Sequence, residues 1–273
     1  TGSSDTGSRG TGLETLTHDV RRAGQECRAG ETVLAAGTRL APAALGLLAA
    51  AGHDVLPVRR AEVAVLVLGD ELLGSGPARD GRLRDALGPL LGAWLPALGL
   101  SVVLITRVPD RRAALAAALD ACPADVVVTT GSTARGPVDH LHDVLGAVGA
   151  RLLVDGVAVR PGHPQLLARL ADGRPLIGLP GNPLAAVSAL LTLLHPVVDG
   201  LHGRPATPPR TGVLRADITA GHDATRLVPV LDGRPVLFAG PAMLRGLATA
   251  DAVAVIPPDG RRAGDPVELL PLP

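Results

Sequence analysis

The sequence predicts an α/β protein: a doubly wound, mostly parallel sheet followed by a small C-terminal β-barrel-like domain. Three observations carry that expectation. Apolar runs rich in β-branched residues alternate with helical stretches between Glu62 and Leu201, several of the runs end in loops rich in glycine, and a proline-rich stretch after Gly203 is followed only by short strand-like pieces. Near-continuous apolar strands imply a sheet covered on both faces, and their alternation with helices implies parallel pairing.

Taken in order, Thr1 to Gly12 is a Gly/Ser/Thr tract, and residues 1–19 read as a disordered tail. Residues 20–60 form a connector. Within it Gly30 to Leu40 holds turn residues, and Ala41 to Ala51 carries apolar residues at helical spacing until Gly52 stops it. Residues 61–203 make the α/β domain, about 140 residues and so of common domain size. It opens with the strand Val63 to Leu68 and an amphipathic helix from Arg82 to Leu98. Ser101 to Val108 is strand-like, Arg111 to Leu119 helical, Asp125 to Thr130 strand-like and Val138 to Val148 helical. Strands at Arg151 to Val159 and Pro175 to Leu179 follow, and a helix after Pro183 closes the unit near Leu201. Residues 204–273 form the C-terminal β domain. After a linker from Gly203 to Thr211 its segments are Gly212 to Asp217, Arg226 to Leu231, Pro235 to Phe238, Ala252 to Ile256 and Val267 to Leu270.

Composition excludes several chemistries. All 26 basic residues among the 273 are arginines, balanced by 26 acids. Without lysine there is no Schiff-base nucleophile and no Walker lysine, so arginine must serve any phosphate, which its planar fork can bind bidentately. Zero net charge argues against nucleic acid as a partner, and an aromatic content of 1% leaves almost no platform for stacking bases. Cys27 and Cys122 belong to no C-x-x-C pair and read as small apolar residues in a reducing compartment. The longest apolar stretches, Leu87 to Leu100 and Leu184 to Leu194, are shorter than a membrane span, and no signal peptide is visible. A soluble cytoplasmic protein without membrane association is expected.

In open α/β sheets ligands bind beyond the carboxyl ends of the strands, so the loops there are the candidate sites. The first strand runs into Gly69-Asp70-Glu71-Leu72, with Asp80 ahead of the next helix. Carboxylates so placed can hold Mg²⁺ or cap a helix N-terminus, and spacing alone leaves both open. The third strand ends in Thr129-Thr130-Gly131-Ser132-Thr133-Ala134-Arg135-Gly136-Pro137, with Asp139 on the helix after it. Such a loop can cradle a phosphate through backbone donors and hydroxyls, but it lacks the Lys-Ser/Thr of a nucleotide-binding P-loop. His140 and His142 diverge on a helix and make a poor metal pair. Arg160-Pro161-Gly162-His163-Pro164 places a cation and an imidazole where an anion could meet them. Finally, Leu179-Pro180-Gly181-Asn182-Pro183 reads as strand, tight loop and helix start: Asn182, the only asparagine, suits the N-cap and Pro183 the first helical position. The helix donors beyond are expected to face an anion, with plain capping as the alternative. No G-x-S-x-G supports acyl transfer.

Taken together, the order and spacing of Gly69-Asp70-Glu71-Leu72, Thr130-Gly131-Ser132 with Gly136 and Asp139, Arg160-Pro161-Gly162-His163-Pro164 and Leu179-Pro180-Gly181-Asn182-Pro183 resemble the molybdopterin molybdenumtransferase family, the MoeA and gephyrin E-domain type. Val20 to Leu40 is similar to the family's connector, and the resemblance extends to Gly264-Asp265-Pro266-Val267-Glu268. It implies insertion of molybdenum from molybdate into adenylylated molybdopterin, with Mg²⁺ and release of AMP, by a homodimer that serves molybdoenzyme apoproteins. It also implies that Asp80, at the family's Asp-Thr/Ser-Asn position, and Asp139, which closes its glycine loop, handle metal or molybdate. Gly69, Asp70, Glu71, Thr130, Gly131, Ser132, Gly136, Arg160, Gly162, His163, Pro180, Gly181, Asn182 and Pro183 would line the substrate site. The chain departs from the family at Gly81-Arg82, at Ser132 to Arg135, at Arg160 and His163 where lysines are usual, and at Ala185. The family's Asp-Gly-Tyr-Ala stretch and lid-like N-terminal domain are also missing from these residues. Those departures keep a non-catalytic pterin-binding relative as the alternative, and a molybdopterin adenylyltransferase as a weaker one.

Overall fold

The computed structural model describes residues 20–136, 139–205, 209–219, 221 and 223–273. The expected tail at residues 1–19 lies outside them, as do Pro137, the end of the glycine loop, and Val138, the start of an expected helix. The chain divides into two compact units, Thr1–Val58 and Arg59–Pro273. The described part of the first unit holds one helix, α1 (Pro42–Ala50), which starts at a proline and has no buried residue.

The second unit is built on a six-stranded sheet. Its strands are β1 (Glu62–Leu68), β4 (Ser101–Val108), β5 (Val126–Thr130), β6 (Arg151–Asp155), β8 (Leu166–Arg169) and β9 (Pro175–Leu179), in the spatial order β4-β1-β5-β9-β8-β6. β4, β1, β5 and β9 pair in parallel, while β8 is antiparallel to both of its neighbours. Alternate residues of β1 feed opposite cores, as period-2 geometry requires. Val63, Val65 and Val67 pack toward α2 (Leu87–Ala97) and the helix after β9, whereas Ala64, Leu66 and Leu68 pack toward α3 (Arg112–Asp120) and α4 (Leu141–Ala147). That two-sided cover is the doubly wound architecture the apolar runs imply.

The helix after β9 is continuous from Pro183 to Leu201. It comprises α5 (Pro183–Ala189), a π-helical turn (Leu190–Leu194) and α6 (His195–Leu201). Pro196 has no N–H to donate to the preceding turn, and the wider turn just before it absorbs the mismatch, with His195 N–H reaching back to the Leu190 carbonyl. The apolar stretch is thus longer than Leu184 to Leu194 suggests. By length and composition this helix could cross a membrane, but here its apolar face is buried in the core.

Three further segments differ from expectation. The helix expected from Arg82 begins only at Leu87, because β3 (Leu83–Arg84) first pairs with β2 (Leu72–Leu73). The strand expected over Arg151 to Val159 breaks at Gly156, whose φ is 86°. Beyond it β7 (Val159–Arg160) leaves the large sheet and pairs in parallel with β12 (Thr225–Leu231). β8 had no strand pattern to betray it: its four residues are held by a tight turn in which Leu170 N–H donates to the Arg174 carbonyl at 2.8 Å.

The C-terminal part is an antiparallel sheet ordered β10-β16-β14-β12-β13, formed by Arg210–Val213, Pro266–Pro271, Ala252–Ile256, β12 and Arg234–Pro235. A separate pair joins β11 (Ile218–Thr219) to β15 (Gly260–Arg261). Leu214, Ile218, Val230, Ala254 and Ile256 fill its core. Leu227 and Val253, on the other side of that sheet, join the core of α2 and α5.

Candidate functional site

A cleft of about 660 Å³, within the ordinary range of ligand pockets, lies where β1, β5 and β9 end side by side. From β1 the chain passes to β4 on one side, and β5 takes the other side. The cleft is therefore at a topological switch point, where diverging loops leave room for a ligand.

The loop after β1 is tied down by its neighbours. Gly69 adopts φ 130°, and a Cβ there would lie 3.0 Å from both Glu71 carboxylate oxygens, so the Glu71 side chain folds over a bare Cα. Asp110 accepts the N–H of Gly69 at 3.1 Å and of Asp70 at 3.0 Å, and the Asp70 carboxylate accepts Asp110 N–H in return at 3.4 Å. Arg107 donates to the carbonyls of Gly69 and Leu72, and Arg82 to those of Asp70 and Leu72. These arginines bind the backbone of the loop. β2 and β3 then carry Glu71 and Asp85 to the same cleft. Asp85, 9% exposed, accepts Gly88 N–H at 2.9 Å, and a Cβ on Gly88 would stand 2.4 Å from its other oxygen.

The loop after β5 is equally fixed. Gly131 (φ 82°) donates to the Leu179 carbonyl, and a Cβ there would meet the Leu68 carbonyl at 3.3 Å. Ser132 takes the left-handed conformation at φ 57°, and its Oγ accepts His140 N–H at 2.6 Å. Asp139 accepts Gly136 N–H at 2.8 Å. It stands before α4, outside the helix where the sequence suggested it. Thr130 lines the cleft with its hydroxyl buried and without a partner among the described residues. A buried hydroxyl left unpaired is costly.

The loop after β9 corrects the expectation of a free helix N-terminus. Asn182 does hold the N-cap position, with extended backbone at φ −72° and ψ 126°, but its side chain makes no capping bond. The first donors of α5 do not face an anion. Leu184 N–H at 2.9 Å and Ala185 N–H at 3.4 Å both point to the carbonyl of Pro241, from the C-terminal part. The Asn182 amide itself lines the cleft, released from local work.

Of the residues expected to line the site, Gly69, Glu71, Thr130, Gly131, Ser132 and Asp139 do so, together with the run Pro180 to Pro183. Asp70, Asp80, Gly136, Arg160, Gly162 and His163 do not. Asp80 occupies an exposed turn at φ 53°, next to the Arg79 to Arg82 bridge. Arg160 is on β7, in the C-terminal sheet. The His163 ring bonds the Val157 carbonyl at 2.9 Å and packs on Gly156. Gly162 is pressed against α5, where a Cβ would be 2.9 Å from the Ser188 Cβ, and Gln165 clamps its carbonyl. Only Pro164 of that segment reaches the cleft.

Sequence reasoning missed Asp85, Asp110, Arg84 and Ala242 as lining residues. An aspartate two residues before the Leu87 to Ala97 helix and the Pro109-Asp110 pair just after a strand were the available signals for the first two. Arg84, the one basic side chain in the lining among the described residues, donates to the Leu73 carbonyl at 2.9 Å. No group of three or more His, Cys, Asp or Glu is placed to hold a metal among the described residues. Asp85, Asp110 and Asp139 are each occupied by backbone N–H groups, and Asp80 does not line the cleft that Asp139 lines. The donor set therefore does not fit a resident Mg²⁺ held by Asp80 and Asp139. Beside the glycine loop, Asp155 is held below the usual carboxylate range, chiefly by its hydrogen bond with His142 and also by Arg135.

A family model described as a probable molybdopterin binding domain covers residues 64–200, and one described as the MoeA C-terminal region (domain IV) covers residues 211–272. A third, the MoeA N-terminal region (domain I and II), matches residues 5–52, where the sequence suggested only a tail and a connector. The chain is 34% identical over 257 residues to molybdopterin molybdenumtransferase 2 of Mycobacterium tuberculosis, covering 88% of this chain and 63% of that protein. It is 33% identical over 211 residues to molybdopterin molybdenumtransferase of Staphylococcus aureus, covering 75% of this chain and 50% of that protein. The chain thus spans less than two thirds of either relative. In fold it is similar to the crystal structure of molybdopterin biosynthesis moeA protein from Pyrococcus horikosii, with a TM-score of 0.76 at 24% identity over 91% of this chain and 64% of that one.

Proposed function

Starting from the fact that this chain belongs to the molybdopterin molybdenumtransferase (MoeA) family, we propose that it acts in molybdenum cofactor biosynthesis, inserting molybdenum from molybdate into adenylylated molybdopterin and releasing AMP. The observation that carries the reading is the cleft itself. Three parallel strands deliver two bare glycine backbones and an asparagine side chain that caps nothing to one switch point, ringed by four acids.

In this reading Gly181 lets the pyrophosphate approach the backbone, and Gly131, whose N–H holds the Leu179 carbonyl, fixes the loop beside it. Asn182 supplies a side-chain contact. Glu71, whose carboxylate accepts no hydrogen bond among the described residues, and Asp85, which holds Gly88 N–H through one oxygen only, take the role expected of Asp80. A water or molybdate oxygen attacks the adenylyl phosphorus and forms the new P–O bond of AMP as the phosphoanhydride P–O bond breaks; the pterin phosphate leaves with the bonding electrons, and the acids take up the proton released by the attacking oxygen. A homodimer, Mg²⁺ brought by the substrate and delivery to molybdoenzyme apoproteins in the cytoplasm belong to the same proposal.

One observation favours the second reading, a pterin-holding relative without turnover. Among the described residues Arg84 is the one basic side chain in the lining, and one of its N–H groups is spent on the Leu73 carbonyl, so a single arginine faces four acids when phosphate charge has to be offset. Titration of the purified chain with adenylylated molybdopterin separates the readings when molybdate is added last. Heat of binding followed by AMP supports transfer, binding alone supports the holding protein, and absence of binding overturns both.

A further inference from the structure

Glu71 lines the cleft from a turn, with both carboxylate oxygens 3.0 Å from the place a Gly69 Cβ would take. A side chain on a turn keeps one direction only if the peptide units on either side of its Cα are held, because those two planes set its φ and ψ. Arg82 and Leu83 hold both. The Asp70 carbonyl, in the peptide unit before Glu71, accepts from the Arg82 guanidinium at 3.1 Å. The Glu71 carbonyl, in the unit after it, accepts Leu83 N–H at 2.9 Å. The same Arg82 nitrogen reaches the Leu72 carbonyl at 3.0 Å, so one guanidinium spans Glu71 from the residue before it to the residue after it.

The two Arg82 contacts are not equivalent. The Leu72 carbonyl has a second donor in Arg107, whereas among the described residues the Asp70 carbonyl accepts from Arg82 alone. Loss of the Arg82 side chain therefore leaves the far side of Glu71 tied and releases the peptide unit immediately before it. Arg82 is exposed and does not line the cleft, so it has no contact of its own to offer a ligand there. It is also one of the positions at which the chain departs from the family pattern.

We propose that Arg82 is a positioning residue: by holding the peptide units around Glu71 it keeps that carboxylate in place to take up the proton. The inference rests on the function proposed above, in which Glu71 is one of the acids that act in the cleft.

The test measures kcat for molybdate-dependent AMP release, Kd for adenylylated molybdopterin and Tm in the parent chain and in Arg82→Ala, Arg82→Lys, Glu71→Gln and the double variant Arg82→Ala/Glu71→Gln. Arg79→Ala is the control, since it removes an exposed arginine from the same turn that makes no hydrogen bond to the loop among the described residues. Arg82→Ala is expected to lower kcat about tenfold while Kd stays within about twofold and Tm falls by less than about 5 °C. Arg82→Lys keeps a donor for one carbonyl and is expected to recover about half of the parent rate, and Arg79→Ala to match the parent. With Glu71→Gln in place, removing Arg82 is expected to lower kcat no further, as holds for residues that act as one unit.

An unchanged kcat in Arg82→Ala, a fall in kcat matched by an equal rise in Kd, a full rate in Glu71→Gln, or the same loss with and without Glu71 overturns this assignment alone. If Glu71→Gln releases no measurable AMP, the single variants decide: a rate recovered in Arg82→Lys and kept in Arg79→Ala supports the assignment, and an equal loss in either overturns it. A parent chain without molybdate-dependent AMP release overturns the proposed function and this assignment with it.

Discussion

Replacing Asp85 and Asp80 in parallel tests which acid serves the cleft. The Asp85 carboxylate is 9% exposed and accepts Gly88 N–H at 2.9 Å, so Asp85→Ala strands a buried donor. That costs about 1–3 kcal/mol, a fall of roughly 2–12 °C in Tm for a unit of this size. Asp85→Asn keeps an oxygen in front of Gly88 and is expected to cost less than about 1 kcal/mol. If the negative charge at this position takes part in AMP release, both variants lose activity by about a hundredfold or more, although only one loses much stability. Asp80→Asn keeps a residue that tolerates φ 53° and leaves both stability and rate close to the parent. The assay is molybdate-dependent AMP release beside a thermal melt for each variant. Full activity in Asp85→Asn with loss in Asp80→Asn would refute the assignment and return the role to Asp80.

Asn182→Ala is expected to change stability by less than about 0.5 kcal/mol, because the side chain caps nothing, whereas a working N-cap costs about 0.5–2 kcal/mol when lost. Its affinity for adenylylated molybdopterin is expected to fall about tenfold, and a destabilised variant with unchanged Kd would contradict this. Gly131→Ala forces a Cβ to 3.3 Å from the Leu68 carbonyl at φ 82° and is expected to cost about 1–2 kcal/mol in a melt; an unchanged Tm would show that the loop relaxes freely. His195 is buried against Trp94, whose indole N–H donates to its Nε2 at 3.0 Å, and burial pushes its pKa from the ordinary 6.5 to about 4, with Asp199 opposing. Above pH 6.5 the ring is neutral in both folded and unfolded chains, so it adds nothing there. As pH falls from 6.5 to 4 only the unfolded chain takes up the proton, and about 3 kcal/mol of stability drains away. Trp94 is the only tryptophan, so its fluorescence should titrate near pH 4 in the folded protein, and a midpoint near 6.5 would refute the buried, neutral ring.

The middle of the sheet was legible because β1, β5 and β9 are buried on both faces: Val63 to Leu68 and Asp125 to Thr130 read as strands from composition alone. β8 was not, since four residues closed by a turn carry no period. Nor was β7, whose partner lies 66 residues away at Thr225. The glycine loops could be placed because Gly131 and Gly181 stand at strand ends, where only the backbone matters. The side chains were harder. Asp80 and Asp85 are both acids ahead of the same helix, and only the β2–β3 pairing decides which one reaches the cleft. Arg160 and His163 looked like anion ligands, but the segment is drawn off by β7 and by the packing of Gly162 on α5. The Pro241 carbonyl at the helix start is a long-range contact that no local pattern announces.

The most direct measurement is a time course of AMP release from adenylylated molybdopterin by the purified chain, with and without molybdate. The account predicts AMP that accumulates only when molybdate is present, together with molybdenum bound to the pterin product. Equal release in both samples, or none in either with substrate demonstrably bound, would contradict molybdenum insertion as the function of this cleft.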